Sequence, residues 1–162
     1  MNIIKTVNEN GCFDLQFRRD VRHKRTNSPT YYSWKAQFVI VGSLDKEDLL
    51  RKIQNTLNCG RIHYVTGTQL RYSVQAIDEL YNTIVPFFGT NQLSGKKKRD
   101  FELWTEAIKI IYQNKGNKLT GWSKENFQGL INIQKAMLKY KVKKTQASKW
   151  LPVAQSIAKT LK

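Results

Sequence analysis

Twice in its first half this chain alternates apolar and polar residues with a period of two, and each alternating stretch gives way to a helical pattern. That order constrains the fold more than any other feature: it calls for one sheet, apolar on a single face, with helices packed on that face. From Cys12 to Arg18, Phe13, Leu15 and Phe17 fall on one side and Asp14, Gln16 and Arg18 on the other. A polar link follows from Arg19 to Thr30, carrying Asn27, Ser28 and Pro29, and Tyr31 to Val41 reads as a second strand. The two form a hairpin with a long basic loop. Arg61 to Thr66 and Gln69 to Gln75, separated by Gly67 and Thr68, form a tighter one in which Leu70, Tyr72 and Val74 oppose Gln69, Arg71, Ser73 and Gln75.

The helices are placed by their stripes and caps. Ser43 reads as the N-cap of a helix to about Leu57, with Asp45, Glu47 and Asp48 in its first turn and Leu49, Leu50, Ile53 and Leu57 on its apolar stripe. Asn58 and Gly60 stop it. Ile77 to Val85 is expected to be a short helix that Pro86 ends. Lys96 to Gln113 and Ser123 to Lys139 are longer helices, the first with Phe101, Trp104, Ile108 and Ile111 at helical spacing. The expectation is an α+β domain: a four-stranded antiparallel sheet with helices on one face and the other face open. A length of 162 residues suits one core, divided here into a main unit over 1–139 and a basic, helical extension over 140–162.

Charge narrows the partners. Twenty-eight Lys and Arg against twelve Asp and Glu leave +16, an excess that favours a polyanion, nucleic acid above all. No basic amphipathic helix points to a membrane surface. The open face would carry Gln16, Arg18, Lys35, Gln37, Arg61, His63, Gln69, Arg71, Ser73 and Gln75, with Asp14 the one acid among them. Arg and Gln are the side chains that read guanine and adenine edges by paired hydrogen bonds. A second cluster, Arg18, Arg19, Arg22, His23, Lys24 and Arg25, lies on the first hairpin's loop, and Lys96, Lys97, Lys98 and Arg99 form a third. Beyond Glu125 there is no acid, while Lys139, Lys141, Lys143 and Lys144 open a tail suited to phosphate. Trp150 in that tail either stacks on an unpaired base or docks, with Leu151, Val153, Ile157 and Leu161, on the core. Cys12 and Cys59 have no CxxC or histidine partner at ligand spacing and are expected to be buried, reduced thiols. Met1 to Glu9 has neither the composition of a transit peptide nor that of a secretory leader.

Four strings in order give a more specific reading: Gly11-Cys12-Phe13, Leu57-Asn58-Cys59-Gly60 followed by Arg61-Ile62, Ile84-Val85-Pro86-Phe87-Phe88, and Lys96 to Trp104 with Asp100-Phe101. Over about 1–139 the chain resembles the LAGLIDADG homing endonucleases, the single-motif kind of organelle introns. The resemblance implies an αββαββα unit whose saddle-shaped sheet sits in the major groove of DNA, used as a homodimer or a double-motif pseudo-dimer. It implies a motif helix before the first strand, small residues where two such helices pack, acids at its foot holding divalent metal, and a lysine near the catalytic centre, for which Lys97 is the nearest match.

Aligned backward from Gly11, the motif is Ile3-Ile4-Lys5-Thr6-Val7-Asn8-Glu9-Asn10-Gly11. Asn8 and Asn10 then hold both acid positions, and Glu9, about 100° away on a helix, is the only nearby carboxylate. Ile4 and Lys5 replace the small packing residues, which disfavours the family's homodimer, and only Met1 and Asn2 precede the motif. The expectation is a binding protein without endonuclease activity, metal or other cofactor, with RNA preferred over DNA because its basic patches are dispersed. A mitochondrial ribosomal protein or intron-splicing factor fits, with the plastid as the second location. The competing expectation is an active, divergent endonuclease cutting double-stranded DNA with Mg²⁺ held by Glu9.

Overall fold

A computed structural model describes residues 2–20, 31–139 and 149–162. The chain opens with helix α1, Ile3–Asn10, whose first turn is capped by Asn2: its side-chain oxygen accepts from the Lys5 amide at 3.1 Å. Ile3 and Val7, one turn apart, are buried beneath it. The chain then turns directly into β1, Gly11–Asp20, followed by β2, Tyr31–Ser43, helix α2, Glu47–Leu57, β3, Arg61–Thr66, and β4, Gln69–Val74. All pairings are antiparallel and the strand order is β1-β2-β4-β3, so the two hairpins join through β2 and β4 in the middle.

Register puts the apolar residues on one face. Phe13 stands opposite Phe38 and Phe38 opposite Val74, Phe17 opposite Trp34, and Ile40 opposite Tyr72, and all of these are buried. Over that face lie α3, Ile77–Glu79, a π-helical turn, Leu80–Ile84, α4, Val85–Thr90, α5, Gly95–Gln113, and α6, Lys124–Leu138. Two aromatic clusters join the layers. The Phe13 ring lies 5.2 Å from Phe38, 5.0 Å from Trp104 and 5.3 Å from Phe101. Phe17 lies 5.0 Å from Trp34 and 5.7 Å from Phe127. Such ring pairs add about 0.5–1.5 kcal/mol each beyond the area they bury. Two side chains of the helical layer also hold the β1 backbone: Trp104 Nε1 donates to the Asp14 carbonyl at 3.0 Å and Gln134 Nε2 to that of Leu15 at 3.2 Å.

The last helix, α7, Leu151–Thr160, places Ala154 and Ala158 in this same core. Trp150 at its start meets Tyr32 edge to face at 5.8 Å, which is the docked arrangement. At the far end the Lys162 carbonyl accepts from the Lys124 amide at 3.1 Å, satisfying one of the open N–H groups of the first turn of α6.

Three expectations need correction. Ser43 does not cap α2: its hydroxyl donates to Asp45 Oδ1, a single 3-10 turn, Leu44–Lys46, intervenes, and the α-helix starts at Glu47. Pro86 does not end its helix. The Val85 amide bonds to the Leu80 carbonyl five residues back, and the widened turn accommodates a proline that has no N–H to give, so helix continues to Thr90. Cys12 is exposed, because alternation puts it opposite Phe13 on the open face, and Cys59 is only half-buried; neither forms a disulfide. The turn after α2 does form as expected, with Asn58 left-handed at φ 54° and Gly60 at φ 84°.

Candidate nucleic-acid interface

The open face is built by the polar half of each strand. Across β1 and β2, Asp14 stands opposite Gln37, Gln16 opposite Lys35, and Arg18 opposite Ser33. Across β2, β4 and β3, Val39 stands opposite Ser73 and Ser73 opposite Arg61, while Arg71 lies between Val41 and His63. Gln69 closes the row at the hairpin end beside Ser43 and Thr66, and Gln75 follows β4. The structure therefore brings Gln16, Arg18, Lys35, Gln37, Arg61, His63, Gln69, Arg71, Ser73 and Gln75 onto one surface. Ser73 is nearly covered there, at 6 % exposure, and forms its floor with Val39.

These side chains differ in how firmly they are held. Gln16 Nε2 and Gln37 Nε2 donate to Asp14 Oδ2 at 2.8 and 3.0 Å. Gln37 Oε1 in turn accepts from Arg71 Nη2 at 3.1 Å and from Gln75 Nε2 at 3.2 Å. A connected network thus crosses β1, β2 and β4. Arg18, Lys35, Arg61 and His63 have no carboxylate partner among the described residues; ion pairs such as Arg51–Glu47 and Lys115–Asp78 lie on helices or beside them. Arginine and lysine side chains with no carboxylate partner among the described residues, set around a fixed amide network, suit a polyanion, whose phosphates would take the cations while its bases meet the amides. A groove of about 600 Å³ runs along this surface between Asp14, Arg18, Lys35 and Gln75. Arg19, which alternation alone assigns to the opposite side from Arg18, borders the same groove at the end of β1.

The foot of α1 lies beside β1. Asn8 is half-buried and its Oδ1 accepts from the Ser94 amide at 3.2 Å, which ties α1 to the start of α5. Glu9 and Asn10 are exposed. Lys97 reaches in from α5 and donates its ammonium to the Gly11 carbonyl. Among the described residues no three His, Cys, Asp or Glu gather as a metal site. On the outer part of α1, Ile4 packs partly against the core and Lys5 is exposed. Lys139 ends α6, in the helical layer and away from the open face. Arg22, Lys24, Arg25, Lys141, Lys143 and Lys144 lie outside the described residues.

Sequence reasoning listed the face but missed its wiring. Asp14 registered only as a lone acid, because its partners follow from a register that a ten-residue link cannot specify.

The chain is thus an αββαββα unit with a polar, cationic open sheet face. The LAGLIDADG endonuclease family matches residues 9–108, and the chain belongs to that family. Over 96 residues it is 24 % identical to a probable intron-encoded DNA endonuclease 1 of Mycosarcoma maydis, covering 59 % of this chain but 32 % of that protein. Among solved structures it resembles the homing endonuclease I-TnaI at a TM-score of 0.70 and 18 % identity, covering 96 % of this chain and 95 % of that one. It also resembles I-SmaMI bound to cleaved DNA, at a TM-score of 0.74 and 14 % identity, and I-AabMI bound to uncleaved DNA, at 0.71 and 24 %. In each of those two, this chain spans 49 % of the other.

Proposed function

We propose that this chain binds nucleic acid on its open sheet face and does not cut it. The observation that carries the reading is the donor set at the foot of α1. Hydrolysis of a phosphodiester in this scaffold calls for divalent metal to neutralise opposed phosphate oxygens and activate water. Asn8 and Asn10 offer neutral amides there; the Asn8 oxygen is already committed to the Ser94 amide, and the Lys97 ammonium adds positive charge at Gly11. A hard divalent cation is held by charged oxygens, and nothing in this set supplies two. Glu9 is exposed. The residues present do not fit the metal the family implies.

For the ligand, the reading favours structured RNA in an organelle, in a mitochondrial ribosomal particle or on an intron, with a plastid as second location. Its support is the placement of cations on separate elements, namely the sheet face, the first turn of α5 and Lys139 at the end of α6. A ligand that surrounds the protein uses several such patches, and a straight duplex uses one face. The second reading, an active endonuclease on double-stranded DNA, is favoured by the relative's name and by the DNA complexes of similar folds. Incubation of the purified protein with Mg²⁺ and either supercoiled plasmid or intron-insertion-site DNA decides between them. Intact substrate is expected. Reproducible cuts that disappear in Glu9→Gln would establish the second reading instead.

A further inference from the structure

A surface that grips phosphates gains from every cation and loses from every anion, yet the strands of the open face keep one carboxylate among their described side chains, Asp14, on the edge strand β1 and 9 % exposed. Affinity for a backbone does not explain it, since a negative charge between Arg18, Lys35 and Arg71 repels phosphate. Its hydrogen bonds give another account. An ionised carboxylate only accepts, so Gln16 and Gln37 must both turn their NH₂ groups to Asp14 Oδ2, as they do. That fixes which end of each amide is left over: the Gln37 oxygen is taken by Arg71 and Gln75, and the Gln16 oxygen is left as an acceptor. Asp14 Oδ1 has no hydrogen-bond partner among the described residues, and the carboxylate borders the 600 Å³ groove.

We propose that Asp14 is a specificity-determining residue of this face: its unpartnered oxygen accepts from the exocyclic amino group of a base, cytosine N4 foremost, and its other oxygen positions Gln16 and Gln37 for the neighbouring bases. Cytosine presents an amino donor where thymine or uracil presents an acceptor, and a carboxylate tells them apart by attraction to one and repulsion from the other. The lost phosphate attraction is the counterpart of this selectivity. The inference rests on the open face being the nucleic-acid interface.

Selection of the full chain and of Asp14→Asn against two pools tests it, one of 30-base-pair duplexes with a randomised centre and one of randomised RNA, at matched salt. The wild type is expected to enrich an amino-bearing base at one position about five- to a hundredfold in the pool it binds. Asp14→Asn should lose that preference while binding the unselected pool about two- to fivefold more tightly, because a repelling charge is gone. A merely structural role moves both readouts the other way, weakening binding and leaving the preferred base unchanged. An unchanged base pattern in a folded Asp14→Asn overturns the inference and leaves the interface standing; failure of the wild type to bind either pool overturns both. If Asp14→Asn does not fold, Asp14→Glu takes its place: it keeps the charge and displaces the acceptor, so the preference should weaken or shift with the unselected affinity unchanged, and an identical pattern counts against the proposal.

Discussion

Tyr72 shows how one side chain ties the sheet to the helix before it. Its ring is fully buried and its hydroxyl donates to the Cys59 carbonyl at 2.8 Å, closing the turn between α2 and β3. Burial, with the Cys59 side chain as the next contribution, pushes the phenol well above the usual tyrosine range, and burial likewise raises the Cys59 thiol. The native chain therefore holds both protons at a pH where the unfolded chain has released them. The sign follows: the contribution is complete below the ordinary values, near 8.5 for Cys and 10 for Tyr, and is lost as pH rises beyond them. Urea midpoints measured from pH 8 to 11 should fall most steeply above about pH 10, at up to about 1.4 kcal/mol per pH unit from Tyr72. Tyr72→Phe should lose about 1 kcal/mol at pH 8 for the missing hydrogen bond and then show a flatter alkaline limb. Equal slopes in the two proteins would remove this account of Tyr72.

At the scale of elements, the turn at Gly60 leaves no room for a side chain. With φ at 84°, a Cβ there would stand 2.7 Å from the Tyr72 ring, 2.8 Å from a Val74 methyl and 2.9 Å from the Ser73 carbonyl. Gly60→Ala combines left-handed strain of about 1–2 kcal/mol with overpacking of about 1–3 kcal/mol. Thermal unfolding should show a loss of several degrees or more, and an unchanged midpoint would mean that the turn relaxes freely. This turn was legible in advance, since Asn58 and Gly60 announce it and Leu57 ends an apolar stripe. So were the faces of β1 and β4, because alternation follows from the pleat alone. The continuation of the helix through Pro86 was not, because it depends on a π turn that no residue type signals. The Asp14 network was hidden for a related reason. Its members lie on β1, β2 and β4, and only the register aligns Asp14 with Gln37 and Gln37 with the neighbourhood of Arg71 and Gln75. Trp150 could stack or dock on sequence grounds; the partner that decides, Tyr32, is 118 positions away in the chain and no local pattern links them.

For the molecule as a whole, the proposed reading separates the scaffold from the chemistry at its motif helix. The core, the sheet order and the helical layer are those of the LAGLIDADG endonuclease family, whereas the foot of α1 presents amides and an ammonium where the family's reaction calls for carboxylates and metal. On the same reading, a face that carries Arg18, Lys35, Arg61 and Arg71 binds by releasing counterions. With about six phosphates neutralised on a duplex, log K should fall by roughly five per decade of salt. Fluorescence anisotropy between 50 mM and 300 mM salt measures this on the nucleic acid that co-purifies, and a slope near zero would mean that the cations of the open face do not meet phosphate.

The most direct measurement of binding without cutting examines both in one sample. End-labelled nucleic acid is held in complex with the protein at saturating Mg²⁺, then run on native and denaturing gels. The expected result is a retarded complex whose strands are all full length. Shortened strands that depend on the metal, from a complex that Glu9→Gln leaves intact, would contradict it.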